Sequence, residues 1–344
     1  MGGSFARRRG NPLPVGAIQD RLSLSFGRIA STLADDVRRG MIELPRSIPP
    51  KHFYDEVGSQ LFDAICDTPE YYPTRTERVL LDAIAADVVA DARPTDLIEI
   101  GSGAARKTRK LLDAMGAGRY VPIDISEGML VASARRLLRE YPWLRVHGVV
   151  ADYEHPLGDL LPAFSPRHDR RLFAFLGGTL GNFDFPSSVE FLARIRRSMH
   201  DDDTFLLGID LVKSRVVLHD AYNDAAGITA AFNRNVLTVM NRELGADFDV
   251  DAFEHVAFYR SDLEQIEMHL EARRGMRVAI PALGMRVAIA AGERIRTEIS
   301  RKFTRDSADV MARAAGLRIR QWFTPENEYF ALALLEPDMA VETA

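Results

Sequence analysis

Apolar residues between positions 77 and 92 (ERVLLDAIAADVVADA) recur at three- and four-residue intervals, which predicts a helix. Pro94 closes it. The short apolar run over 96–100 (DLIEI) predicts a buried strand, stopped by Gly101-Ser102-Gly103. The same reading gives a helix over 104–115, a strand over 120–123, a helix over 127–140 and strands over 144–150 and 172–176. A helix over 187–199 and a strand over 205–209 follow. Strands alternating with helices of this length predict βαβ units and a mostly parallel sheet. From position 220 the texture changes. Residues 220–245 read as helical, and 254–300 as strand-like stretches with turns between them. The near-duplicate GMRVAI at 275–280 and 284–289 is too short for a structural repeat; it predicts two neighbouring strands joined at Pro281. A helix over 306–315 and strands over 317–323 and 328–335 then resume the α/β pattern.

That return predicts an α/β fold with a Rossmann-like sheet, built from 21–214 and 301–344, and an inserted α+β substrate domain over 215–300. A chain of 344 residues has room for two such domains. Residues 1–20, with Arg7, Arg8 and Arg9, are expected to be a mobile basic leader. The stretch after those arginines, Gly10 to Pro14, is not a signal-peptide apolar core, and Ala6 breaks a myristoylation motif. No apolar run approaches the ~20 residues that span a membrane. Lys and Arg number 44 against 49 Asp and Glu, a net charge of −5, which argues against nucleic acid as a partner. The lone cysteine, Cys66, excludes a disulfide framework and a Cys-rich metal site, and a reducing cytoplasm is the expected compartment. Cys66 itself reads as a small buried residue on a helix. A monomer is expected.

Chemistry concentrates at the glycine loop. Gly101-Ser102-Gly103 at a strand end places backbone N–H groups and a helix start at the carboxyl edge of the sheet, where α/β folds bind ligands. A dinucleotide fingerprint and a P-loop both require a glycine where Arg106 stands, although Lys107 and Thr108 would suit the latter. A loop of the S-adenosylmethionine (SAM) methyltransferase type, with the acidic Glu99 before the glycines, fits without exception; a plain glycine turn is the remaining alternative. Asp124 ends the next strand, where a carboxylate can accept two ribose hydroxyls. Asp152-Tyr153 follows the strand after that, where an acid can bond an adenine amino group and an aromatic can flank its ring. Together they indicate an adenosine cofactor without a pyrophosphate. The eight histidines show no metal-ligand spacing, and His200-Asp201-Asp202-Asp203 reads as a solvated turn, so no metal is expected.

These residues and several further stretches resemble one family, the SAM-dependent L-histidine Nα-methyltransferases of ergothioneine biosynthesis. The matching strings are Phe53-Tyr54-Asp55 with Gly58-Ser59, Pro69 to Glu77 (PEYYPTRTE), the glycine loop with Lys107-Thr108, and Leu176 to Asn182 (LGGTLGN). Tyr222 with Asp224 to Gly227, Phe232 to Asn235 (FNRN), Ile266-Glu267-Met268 and Thr297 to Ser300 complete them, over about residues 45–338. The resemblance implies a class I SAM-methyltransferase fold with SAM as methyl donor and S-adenosylhomocysteine as product. It implies three methyl transfers to the α-amino nitrogen of L-histidine, giving hercynine. Gly101, Lys107, Asp124, Asp152 and Tyr153 match the family's SAM contacts. Tyr71, Asn182, Tyr222 and the stretch Glu298 to Ser300 match its histidine contacts, and Tyr54, Gly177 and Met268 match further pocket positions. Tyr153 stands where Phe is common and Gly178 where Ser is common, and the arginine-rich leader is extra.

The residue types suit that chemistry. Asn182 carries a donor and an acceptor, so it can bridge a substrate carboxylate and amine. Glu298 and Ser300 are two apart on an expected strand and so share a face; a carboxylate and a hydroxyl there can read both nitrogens of an imidazole. Tyr222 can donate to the substrate carboxylate, Tyr71 can pack on or bond the ring, and Tyr54 can orient the methylated amine. A free α-amino group has a pKa of ~8, lowered further beside a sulfonium, so alignment matters more than a strong base. Three other readings remain open from the residues: methylation of another aromatic amino acid such as a tryptophan derivative, a non-catalytic SAM-binding module, and a nucleotide hydrolase on the near-P-loop.

Overall fold

The computed structural model describes residues 20–27, 31–153 and 170–339. The expected leader falls outside them except for Asp20. An eight-stranded sheet has the order β1-β4-β3-β2-β5-β6-β13-β12. Its members are β1 (Leu22–Phe26), β2 (Asp96–Ile100), β3 (Arg119–Asp124), β4 (Arg145–Val150), β5 (Arg171–Phe175), β6 (Thr204–Asp210), β12 (Leu317–Phe323) and β13 (Phe330–Pro337). The first six pair in parallel, and β13 and β12 add antiparallel. β2 is buried at every position, as its unbroken apolar run requires when helices cover both faces. One core packs Ile98, Ile123, Phe175, Phe191 and Leu207; another, on the opposite set of side chains, packs Leu81, Leu97, Tyr120, Leu172 and Leu332.

Several elements differ from the sequence reading. β1 pairs with β4 at the sheet edge; its five residues alternate too briefly to stand out. Helix α1 (Leu33–Ile42) is started by a Thr32–Asp35 capping box. The helix after the glycine loop, α4 (Thr108–Met115), begins four residues later than its pattern suggests. Gly101, Gly103 and Ala105 all have positive φ (66°, 48° and 50°), so the backbone cannot wind into a helix before position 106. Helices α2 (Glu56–Asp67), α3 (Tyr72–Ala92), α5 (Glu127–Glu140), α6 (Phe185–Ser198) and α9 (Arg305–Ala314) match their expectations in kind.

Between β6 and α9 the chain leaves the sheet. It forms α7 (Arg215–Tyr222), α8 (Ile228–Leu244) and β7 (Phe253–Arg260), β8 (Gln265–Ala272), β9 (Met276–Ile280), β10 (Met285–Ile289) and β11 (Arg294–Arg301). β11, β8 and β7 make an antiparallel sheet, and β9 and β10 pair across the Pro281–Leu283 turn as the duplicated motif predicts. This lobe has its own core, which includes Leu237, Met240, Leu270 and Ile295. Val37, Met41, Phe53, Ile65 and Tyr72 join that core rather than the cores of the sheet. The expected division at 215 therefore does not describe the packing: 33–72 crosses over, because α1, α2 and the start of α3 present their apolar faces to α8 and its neighbours. No helix of the described residues is long and apolar enough to cross a membrane.

Candidate active site

A cavity of about 440 Å³ opens at the carboxyl ends of β2, β3 and β4, between the sheet and the lobe. Its wall includes Tyr54, Tyr71, Gly101, Asp124, Asp152, Tyr153, Gly177, Asn182, Tyr222, Met268, Glu298 and Ser300. These are twelve of the thirteen residues singled out from the sequence. Lys107 is the exception: it pairs with the buried Glu77, whose other oxygen accepts the Gly177 N–H at 2.7 Å. Lys107 therefore braces the loop from behind and does not line the cavity.

The sheet side carries the glycine loop and the acids at the ends of β3 and β4. Asp124 accepts the Gly103 N–H at 2.8 Å and the Ser126 N–H at 2.9 Å, which holds its carboxyl toward the loop. Burial raises its pKa against those bonds. Tyr153 stands edge-on to Phe175, with centroids 5.6 Å apart. Lys51 also lines the cavity, 3.8 Å from Asp152 and 3.0 Å from the buried Asp36. Glu99 does not face the cavity. It accepts the hydroxyls of Tyr120 and Thr108, tying β2 to β3 and α4, and burial pushes its pKa up to about 7.

The lobe side is polar and aromatic. Gly177 and Gly178 turn with φ of 93° and 69° into a short 3-10 helix, Thr179–Asn182. That turn lies flat on β11: a Cβ on Gly181 would sit 2.8 Å from the Arg301 carbonyl oxygen. The close approach brings Asn182 beside Glu298 and Ser300. Among the described residues neither the Asn182 amide nor the Glu298 carboxylate has a side-chain hydrogen-bond partner, so both are open to a ligand. Burial pushes the Glu298 pKa up to about 7, with the Lys302 charge opposing it. Met268 lies opposite Glu298 in the β8–β11 register and packs beneath it. Tyr54 and Tyr71 meet Phe62 edge-on at 5.5 Å and 6.2 Å. Burial raises the phenols of Tyr54, Tyr71 and Tyr222 above the ordinary tyrosine range, so each presents a protonated hydroxyl.

A buried network that the sequence reading missed reaches the wall at Asp210. Asp210, at the end of β6, accepts from Tyr72 at 2.9 Å, Lys213 at 2.6 Å and Lys302 at 2.8 Å. Two signals pointed to it. Asp210 is one more acid at a strand end, and Lys302 continues the period-two series of Glu298 and Ser300. His200 to Asp203 differs as well. Asp201 and Asp202 are solvated, but Asp203 is buried against Arg171, 2.8 Å away, because the guanidinium of this sheet residue needs a counter-charge. Among the described residues no cluster of His, Cys, Asp and Glu could hold a metal ion.

Residues 33–337 match the model of the histidine-specific, SAM-dependent methyltransferase family. This chain belongs to that family. The methyltransferase is 47% identical over 315 residues to the histidine N-alpha-methyltransferase of Mycolicibacterium smegmatis, covering 90% of this chain and 97% of that one. It is 44% identical over 322 residues to the Mycobacterium tuberculosis protein of the same name, covering 92% and 98%. It is 30% identical over 242 residues to ergothioneine biosynthesis protein 1 of Schizosaccharomyces pombe, covering 67% of this chain and 31% of that longer protein. SAM is the methyltransferase's cofactor. The cavity fits it: a glycine turn with room for backbone approach, a carboxylate at the second strand end for ribose hydroxyls, and Asp152 with Tyr153 for adenine.

Proposed function

We propose that this methyltransferase transfers methyl groups from SAM to the α-amino nitrogen of L-histidine, three in succession, giving hercynine, the first step of ergothioneine biosynthesis. One observation carries the choice of substrate. Glu298 is a partnerless carboxylate in the cavity wall, two residues from the Ser300 hydroxyl. A neutral imidazole has one donor and one acceptor, and this pair offers the complement of each. An indole has no basic ring nitrogen and would leave one of the two unmatched.

SAM, when bound, supplies a methyl group on a positively charged sulfur. The residues of the chain bind and orient. Asn182 can accept from the amine while donating to the carboxylate. Tyr222 donates to Ser300 at 2.8 Å and acts on the substrate through that hydroxyl. Glu298 and Ser300 fix the ring, so the α-nitrogen is held facing the cofactor side of the same cavity. The amine loses a proton before each transfer. The positive sulfonium held beside it favours the neutral amine. Tyr54 has surface open to the cavity and can orient the amine as methyl groups accumulate. The quaternary product has no lone pair, which ends the series.

The test is incubation of the full chain with SAM and, separately, histidine, tryptophan, phenylalanine and tyrosine, read by mass spectrometry. A product three methyl groups heavier than histidine is expected. A single-methyl end product, or a preference for tryptophan, would overturn the reading.

A further inference from the structure

The donor–acceptor polarity of the wall depends on a residue that does not touch the cavity. Lys302 follows β11 and is fully buried. Its Nζ lies 2.8 Å from the Asp210 carboxylate, 3.1 Å from the Tyr222 hydroxyl and 2.8 Å from the Ser300 hydroxyl. An ammonium has three N–H donors and no lone pair, and here all three donors are used. Neither hydroxyl can donate to it, so each must accept. Tyr222 in turn donates to Ser300 at 2.8 Å. That fills both acceptor positions of the Ser300 oxygen and leaves its own proton without an acceptor among the described residues. Ser300 lines the cavity, so the proton is available to a ligand there.

We propose that Lys302 is a positioning residue for the amino-acid substrate: its three N–H groups occupy acceptor sites on Asp210, Tyr222 and Ser300, turn the Tyr222 proton onto Ser300 and thereby commit the Ser300 hydroxyl to donate toward the cavity. The inference rests on the reading of histidine as substrate and adds what sets the direction of its hydrogen bonds. The unprotonated ring nitrogen of the substrate is an acceptor, so a committed donor at Ser300 matches it. Without the ammonium, the Tyr222 and Ser300 protons could turn to Asp210, which would then compete with the substrate for the same donors.

Two further features support the assignment. Burial works against the Lys302 charge, but Asp210 and Tyr222 together more than offset it and hold the ammonium above the ordinary lysine range, so the donor set persists at neutral pH. Asp210 is itself held by Lys213 and by Tyr72, the second residue of the Tyr71-Tyr72 pair. The anchor of Lys302 therefore belongs to the sheet, while the hydroxyls it orders belong to α7 and β11 of the lobe.

The experiment measures histidine and S-adenosylhomocysteine binding by calorimetry, with steady-state kinetics, on the full chain. Lys302→Met is expected to weaken histidine roughly tenfold or more while cofactor affinity changes by less than about twofold and kcat at saturating histidine is largely kept. A merely structural defect would lower both affinities and kcat together. The decisive comparison uses Ser300→Ala with Tyr222→Phe. If Lys302 acts through those hydroxyls, adding Lys302→Met to that pair weakens histidine no further. A full additional loss, or an unchanged histidine affinity in Lys302→Met alone, would overturn the proposal. If Lys302→Met does not fold, Asp210→Asn with Lys302→Met removes both charges and is compared in the same way. Failure of the unaltered chain to bind histidine would instead sink the substrate reading.

Discussion

At the scale of single residues the proposed reading separates the cavity wall into groups for the amino acid and groups for the cofactor. Asn182→Ala removes an amide whose donor and acceptor are both open to the substrate. It is expected to raise the histidine KM at least about tenfold and leave SAM affinity nearly unchanged. Equal loss of both in a two-substrate titration would contradict the assignment. Glu298 yields a prediction on stability. Its pKa in the folded chain, about 7, lies above the ordinary 4.5. A raised carboxyl pKa favours the fold below the unfolded value, and that advantage is lost as pH rises through 7. Above pH 7 the ligand-free chain carries a half-buried, partnerless anion. Glu298→Gln should therefore be more stable than the parent at pH 8, by about 1–3 kcal/mol, with the difference shrinking toward pH 4.5. Thermal unfolding at the two pH values checks this. The same substitution should reduce the preference for histidine over tryptophan, and an unchanged preference would count against the ring-reading role.

At the scale of elements the close packing of the 177–182 turn on β11 is the most exposed to test. Gly181→Ala places a methyl carbon 2.8 Å from the Arg301 carbonyl oxygen and 3.1 Å from its nitrogen, both rigid backbone. The turn must move, at a cost of about 1–3 kcal/mol, and Asn182 moves with it. Lower thermal stability together with weaker histidine binding is the expected result. Elements with a strong period were legible in the sequence: β2, α5, β12 and the β9–β10 pair all match. So were twelve of the wall positions, because strand ends and the quoted strings carry them. β1 was hidden because five residues with two serines resemble a loop. The late start of α4 was hidden because the positive φ of Ala105 is a tertiary feature of a residue whose propensity favours helix. Asp210 and Lys302 were passed over because a strand-end acid and a lysine two residues past Ser300 read equally well as solvated charges; only the fold pairs them in the interior.

At the scale of the whole molecule the cavity wall is shared between the sheet and a lobe whose core also takes in residues 33–72. On the proposed reading the cofactor faces mainly the sheet and the amino acid mainly the lobe, so the two together should brace the contact. S-adenosylhomocysteine with histidine is expected to raise the melting temperature beyond the sum of the separate shifts, read by scanning fluorimetry. Simple additivity would show the halves to be uncoupled. Glu77 extends this point. It sits on α3, one turn beyond Tyr71 and Tyr72, holds the Gly177 N–H with one oxygen and grips Lys107 with the other. One carboxylate thus works as a keystone between the adenosyl loop, the asparagine turn and the helix that delivers an aromatic. Glu77→Ala should slacken all three together, impairing both ligands at once, the opposite signature to the selective defect of Asn182→Ala.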